Sequence, residues 1–126
     1  NIVSVTSIKG ESLGYNLTAT TTTTLLTVSS DKVVKVNRIV CANVDGTNAA
    51  DLSLSVVKSN FTPDGVANFD TSGTFFLAKT ISVPADAALV VLDTPIYLME
   101  GDVLKGGASA ASDLDLIISY ESIDDA

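Results

Sequence analysis

Residues 83–105 constrain the fold most, because they place two apolar runs and three turn signals within one short span. The run at 89–92 is too short for an independent helix, is rich in valine and lies between two proline-containing turns, so it is predicted to be a buried strand. Residues 96–99 repeat that pattern. Gly101 suits a tight reversal, and Asp102 can bond to the nearby backbone before the next strand begins. Corners of this kind predict an antiparallel sandwich.

The first part of the chain is rich in threonine and more weakly patterned. Residues 2–8 alternate apolar and hydroxyl side chains as a short strand does, and residues 9–14 are predicted to be a polar break. Residues 15–28 are predicted to be extended, because β-branched threonine fits a pleated, half-exposed surface, with a low-complexity linker as the alternative. These features predict an extended N-terminal arm over residues 1–28 and a β-sandwich domain over residues 29–126.

The longest predicted strand covers residues 33–44 and carries apolar side chains on both phases of its alternation. Arg38 interrupts one phase, which consists of Val34, Val36, Val40, Ala42 and Val44. Either a bulge near Asn37 and Arg38 re-aims the strand, or Ile39 and Cys41 on the opposite phase are also covered, by a second sheet or by a neighbouring subunit.

Turn signals and alternation define the other strands. Asp45-Gly46 predicts a hairpin turn with positive φ angles, and a returning strand at 51–58 has Leu52, Leu54 and Val56 on one face. Residues 59–73 are predicted to be a long loop, either one that packs its own aromatic side chains or a contact loop for a partner subunit.

Residues 74–83 are predicted to be extended, and residues 106–112 a turn of small residues. The closing strand, 113–123, has one apolar face made of Leu114, Leu116, Ile118 and Tyr120. Eight to ten strands without a helix predict an all-β fold, an antiparallel β-sandwich of jelly-roll or immunoglobulin-like type.

Composition excludes much catalytic chemistry. A chain of 126 residues fits one domain, and the absence of histidine removes catalytic triads and Cys/His metal sites. The single cysteine, Cys41, is predicted to be a small buried hydrophobe. No glycine-rich loop lies between a strand and a helix to hold a phosphate. We therefore predict a non-enzymatic protein with no catalytic residues, no cofactor and no bound metal.

The formal charge of −8 would repel phosphate backbones and anionic lipid alike, so neither nucleic acid nor a membrane is an expected partner. The apolar runs are too short to span a bilayer, and no basic segment followed by an apolar region indicates a signal peptide. The chain starts at Asn1 without methionine, so an upstream piece that is cleaved or left out is an open alternative.

The carboxylate pair Asp113 and Asp115 lies on one face of a predicted strand, where it could bind a cation or serve in glycoside hydrolysis. A solvated strand face is the favoured interpretation. Asp45-Gly46 and Asp64-Gly65 lack the alternating ligands of a calcium loop and predict turns. The glycosylation sequons at Asn16 and Asn60 are common by chance in a chain so rich in threonine and serine.

Five segments carry a resemblance to known proteins. They are Leu-Leu-Thr-Val at 25–28, Val-Asn-Arg-Ile-Val-Cys-Ala-Asn-Val-Asp-Gly-Thr at 36–47, Leu-Ala-Lys-Thr-Ile-Ser-Val-Pro-Ala at 77–85, Pro-Ile-Tyr-Leu-Met-Glu-Gly-Asp at 95–102 and Ile-Ser-Tyr-Glu at 118–121. Their order, over residues 25–123, resembles small virion structural proteins of tailed bacteriophages, notably those of marine and cyanobacterial hosts. The resemblance is to an overall pattern and brings no catalytic residues.

That resemblance implies a capsid decoration (cement) protein that stabilises the phage head, or else a neck or tail component. It implies a homo-oligomer that is made in the host cytoplasm and joins the virion, with the major capsid protein or neck and tail proteins as partners. A trimer is favoured over a dimer from the resemblance alone.

The residues themselves also predict self-association, because a two-layer sandwich needs only one side of residues 33–44 for its own core. The predicted arm could add to the sheet edge of a neighbour. The alternative function is a carbohydrate-binding or adhesive β-sandwich, which would present exposed aromatic platforms. The absence of tryptophan counts against it, as does the apolar strand context of Tyr97 and Tyr120, which predicts that both are core residues.

Overall fold

The structure, a computed structural model, describes residues 7–18, 23–60 and 72–124. Within these ranges the chain forms nine strands in two sheets, and every pair of neighbouring strands is antiparallel. The strands are β1 (Ile8–Asn16), β2 (Thr23–Thr27), β3 (Lys32–Asn43), β4 (Ala50–Lys58), β5 (Gly73–Val83), β6 (Ala88–Leu92), β7 (Ile96–Leu98), β8 (Val103–Ala108) and β9 (Leu114–Asp124). This confirms the predicted all-β sandwich. The described part of the chain contains no helix that is long and apolar enough to cross a membrane.

The strand order is that of a jelly roll. Sheet A has the order β1-β9-β3-β6, with β7 also paired to β3, and sheet B has the order β2-β8-β4-β5. The pairs β1–β9, β2–β8, β3–β7 and β4–β5 follow one long antiparallel hairpin, which is rolled up so that β9 also pairs with β3, and β8 with β4. This order selects the jelly roll over the immunoglobulin-like alternative.

The core lies between the two sheets and takes one face of most strands. Its fully buried apolar members are Val36, Ile39, Cys41, Leu52, Leu54, Val83, Leu104, Leu114, Leu116 and Ile118. The predicted alternation of 51–58 and 113–123 is therefore confirmed. Gly106 is required by packing, because a Cβ there would lie 2.9 Å from Leu25 Cδ1 and 3.1 Å from Leu54 Cδ1.

A β-bulge in β3 settles the question raised by residues 33–44. The pairing of β3 with β9 shifts by one residue between Val36 and Arg38, which leaves Asn37 as the extra residue. Before the bulge Val36 lies in the core, and after it Ile39 and Cys41 do. The bulge alternative is thus confirmed, and both phases of β3 serve the same core.

The predicted N-terminal arm is wrong where the structure describes it. β1 pairs with β9 along its full length, so the predicted polar break at 9–14 is the middle of a strand. The leucines at 17, 25 and 26 and the valine at 28 are buried in the core. Sequence patterning missed β1 because the inward phase of its first half is occupied by Lys9 and Glu11, which pair with Ser122 and Tyr120, so no apolar alternation is visible there. Residues 1–6 and 19–22 lie outside the described ranges.

The hairpin predicted at Asp45-Gly46 is also wrong, because β3 and β4 lie in different sheets. Gly46 does not adopt a positive φ. The turn is shaped by side chains instead: Asp45 Oδ1 accepts hydrogen bonds from the backbone N–H groups of Thr47 at 2.7 Å and Asn48 at 3.1 Å. Such Asx bonding gives the backbone a turn without left-handed residues.

The 83–105 region matches its predicted strands and turn. Asp102 N donates to Met99 O at 2.9 Å and Gly101 has φ 84°, as a type II turn requires. The predicted burial of 89–92 is wrong, because β6 is a sheet edge whose Val90 is 44% exposed. β8 extends through Ala108, so the small-residue turn begins later than predicted. Most of the predicted loop at 59–73, namely 61–71, lies outside the described residues.

Candidate interaction surfaces

The predicted carboxylate pair, Asp113 and Asp115, has two separate sets of partners. Asp113 precedes β9, and its backbone carbonyl accepts a hydrogen bond of 2.8 Å from Val44 N. It lies near Asp45, whose pKa is lowered mainly by the backbone N–H groups of Thr47 and Asn48. Asp115, on β9, accepts a hydrogen bond of 2.7 Å from Asn16 Nδ2. No group of three or more His, Cys, Asp or Glu within residues 7–18, 23–60 and 72–124 could hold a metal ion.

Cys41 is fully buried in β3, as predicted. Burial, and to a smaller extent the negative charge of Asp115, raises the pKa of its thiol to about 11. The thiol is therefore protonated at neutral pH, and it has the character of an inert core residue.

Sequence reasoning missed a buried ion pair between Lys58 and Asp102. Asp102 has no exposed surface, and its carboxylate accepts hydrogen bonds from Lys58 Nζ, from Ser59 N at 2.9 Å and from Met99 N at 2.8 Å. The bond from Met99 confirms the predicted bonding of Asp102 to nearby backbone. Lys58 lies 44 positions away, so local spacing held no signal for it. These bonds join the end of β4 to the turn before β8.

The two tyrosines predicted to be core differ in position. Tyr97 is 58% exposed, so its prediction is wrong: β7 directs Leu98 into the core and Tyr97 outward. Tyr120 is half-buried and packs against the core. Burial, followed by its hydrogen bond to Glu11, raises the pKa of the Tyr120 hydroxyl.

One exposed apolar surface is β5, which lies at the edge of its sheet and, among the described strands, pairs with β4 alone. Phe75, Phe76, Leu77 and Ile81 are 55%, 49%, 37% and 42% exposed. Lys79 Nζ lies 5.2 Å from the centre of the Phe76 ring, a cation–π geometry. Thr80 has a positive φ of 48°, and the pairing with β4 shifts register twice, which are features that discourage uncontrolled sheet extension.

A second apolar surface is the outer face of sheet A, called here the outer A face. Residues that pair directly in a sheet share a face, so the register defines rows across it. In one row Ile117 pairs with Gly14 on one side and Val40 on the other, and Val40 pairs with Val90. Ile117 is 51% exposed and Val90 44%. The outer A face thus carries an apolar row across four strands.

The other rows of the outer A face follow from the same register. They are Ile8, Ile123 and Val33; Gly10, Glu121, Lys35 and Tyr97; Ser12, Ser119 and Arg38; and Asn16, Asp115, Ala42 and Ala88. The ionisable side chains among them are two basic residues, Lys35 and Arg38, and two acidic residues, Asp115 and Glu121. This face is therefore neutral on a chain whose formal charge is −8.

No protein-family model matches the chain, and no curated protein matches it. Among solved structures, the chain is similar to one described as "Bacillus endospore appendages form a novel family of disulfide-linked pili". The identity is 13%, the TM-score is 0.46, and the comparison covers 100% of this chain and 99% of that one. A likeness of this degree carries no argument about function.

Proposed function

We propose that this protein is a non-enzymatic structural protein that works as a homo-oligomer in the virion of a tailed bacteriophage, as a capsid decoration protein. The observation that carries the structural role is the concentration of exposed large apolar side chains on two surfaces. Four of them lie on the outer A face and four on β5: Ile8, Val90, Tyr97 and Ile117, and Phe75, Phe76, Leu77 and Ile81.

Contiguous exposed apolar surface is rare on soluble monomers and marks sites of protein interaction. Two separate surfaces let one chain contact a copy of itself with one and a larger assembly with the other. The β5 surface suits the larger assembly, because its aromatic side chains can anchor in pockets of a partner. The major capsid protein is the proposed partner there.

The phage assignment is supported by the five segments that resemble virion structural proteins. Addition of the purified protein to undecorated capsids tests the assignment. We expect cosedimentation with the capsids, and a loss of at least about tenfold in affinity for Phe75→Ser/Phe76→Ser, because buried aromatic anchors dominate binding energy.

A matched control changes Thr74 and Ser82, two of the exposed polar residues of the same strand, to alanine, and it should bind capsids as the wild type does. Binding to neck or tail assemblies without binding to capsids would move the protein to that part of the particle. Failure to bind any phage assembly would contradict the virion assignment.

A second candidate function, a carbohydrate-binding or adhesive module, is favoured by one finding. Tyr97, Phe75 and Phe76 are about half exposed or more, so aromatic rings are available to stack on sugars. A glycan array tests this function, with Tyr97→Ala and Phe76→Ala as variants. Specific glycan binding that either variant removes would support the module, whereas an array without binding would leave the virion proposal in place.

A further inference from the structure

We propose that the outer A face is the contact between two copies of this chain, related by a two-fold axis that runs parallel to the strands between β9 and β3. The inference rests on the self-association in the proposed function and does not depend on a phage particle. Its occupant is a second copy of the same face.

The register makes this face self-complementary under that rotation. A half-turn about such an axis exchanges β9 with β3, and β1 with β6 and β7, while every row stays at its own height. Ile117 then faces Val40 of the partner subunit, and Ile123 faces Val33 of the partner subunit, each contact occurring twice. An isologous contact of this kind pairs apolar rows with apolar rows.

Charge complementarity identifies a second copy as the occupant. Lys35 and Glu121 pair across β3 and β9 in one row, so the rotation places Lys35 opposite the partner's Glu121, and Glu121 opposite the partner's Lys35. The charges of Lys35 and Arg38 cancel those of Asp115 and Glu121, so the formal charge of −8 lies elsewhere on the chain. Two copies can therefore approach through this face without the like-charge repulsion that their other surfaces would meet.

The shape of the face fits the same arrangement. The rotation brings Tyr97, which is 58% exposed, over the partner's Gly10, where a Cβ atom would meet nothing within 4 Å. Val90 comes over the partner's Gly14, where a Cβ atom would lie 3.2 Å from Ile117 Cδ1 of that same chain, so Val90 meets Ile117 there as well as glycine. Large side chains at one edge of the face thus meet glycine at the other edge, so the two surfaces can close together. The side chains at positions 12, 42, 88 and 119 are serine or alanine, which are small and therefore do not hold the two copies apart.

The area is sufficient for a stable dimer. With strands about 4.8 Å apart and same-face residues about 6.8 Å apart, four strands by five rows cover about 650 Å². Two copies would bury about 1,300 Å² together, within the range of about 1,200–2,000 Å² for specific interfaces. Because one two-fold contact closes on itself, it produces a dimer and not a trimer.

Charge reversal tests the pairing. We expect wild-type protein to sediment as a dimer at micromolar concentration, and Lys35→Glu and Glu121→Lys each to weaken self-association at least about tenfold. An equimolar mixture of the two variants should form heterodimers, because each variant then supplies the charge that the other needs. A contact within one chain cannot explain recovery on mixing. Homodimers that persist in both variants, or a mixture that stays monomeric, would overturn the proposal.

An apolar substitution provides an independent test. Ile117→Lys should weaken the dimer at least about tenfold, whereas Ile81→Lys, an equally drastic change at an exposed isoleucine of β5, should leave it intact. Circular dichroism confirms that each variant is folded. A wild-type protein that is monomeric or trimeric, or a dimer that Ile81→Lys dissociates and Ile117→Lys does not, contradicts the proposal. These measurements need no capsid, so their failure is distinct from failure of the capsid assay.

Discussion

The two faces of sheet A show how neighbouring residues of the same type take different roles. Ile117 and Ile118 are adjacent on β9, yet Ile118 is fully buried and Ile117 is 51% exposed. The inner face holds the sandwich together with β-branched and leucine side chains. The outer face carries exposed apolar rows, through which we propose that two copies associate. Under that proposal, stability and association depend on opposite sides of one sheet, and they should respond to different substitutions.

The largest expected effect comes from removing the bulge of β3, which keeps apolar residues on the inner face along the whole strand. Deletion of Asn37 removes the bulge of β3, so residues on one side of it must exchange faces. Either Val34 and Val36, or Ile39 and Cys41, would turn outward. We expect the deletion variant to lack the cooperative unfolding transition in circular dichroism.

Asn37→Ala serves as the control, because it keeps the residue count and hence the bulge. Asn37→Ala should unfold cooperatively. Its free energy of unfolding should fall by about 1 kcal/mol or less, as is usual for positions outside the core. A deletion variant as stable as Asn37→Ala would show that the bulge does not set the register of β3.

The second comparison is between a buried ion pair and an exposed one. Lys58→Met leaves the fully buried carboxylate of Asp102 without its cation, which should cost about 3 kcal/mol or more. Lys9→Met removes the exposed pair with Glu11, 3.9 Å long, and should cost less than about 1 kcal/mol. Urea unfolding of both variants at neutral pH measures the difference, and equal losses would refute it.

A third comparison uses the adjacent isoleucines. Ile118→Ala should lower the free energy of unfolding by about 2–5 kcal/mol, since it leaves a cavity between the sheets. Ile117→Ala should lower it by less than about 1 kcal/mol and should instead weaken self-association. Unfolding must be measured below the concentration at which copies associate. A large loss of monomer stability in Ile117→Ala would contradict the expectation that the outer face contributes little to folding.

The smallest expected effect is a pH dependence at the exposed Asp45 turn. The folded pKa of Asp45 lies below its ordinary value of 3.8, so its carboxylate stabilises the fold above the unfolded pKa. That contribution is lost as the pH falls through the folded pKa. Asp45→Asn should therefore be less stable than wild type at neutral pH, and the difference should shrink in acid. A difference that is constant from neutral to acidic pH would contradict this.

Much of the fold could be predicted from the sequence. The alternation in β4 and β9 follows from period-two patterning, and the tight turn at Gly101 follows from turn chemistry, and both are local. The burial of Cys41 follows from its residue type. The pattern at 33–44 predicted either a bulge in β3 or coverage of both of its faces, and the structure contains the bulge. β1 was not predicted because the charged residues Lys9 and Glu11 lie on its inward phase, so its first half has no apolar alternation to detect.

Alternation and turn residues act over a few positions, so they were sufficient to predict an all-β fold and the places of most of the described strands. Which strands meet, and which faces stay open, depends on the packing of strands that are distant in the chain. Only the rolled-up order separates β3 from β4, makes β5 an exposed edge, turns Tyr97 outward and brings Lys58 to Asp102. The reason is physical: alternation shows which side chains share a face, but whether that face is covered depends on strands distant in the chain.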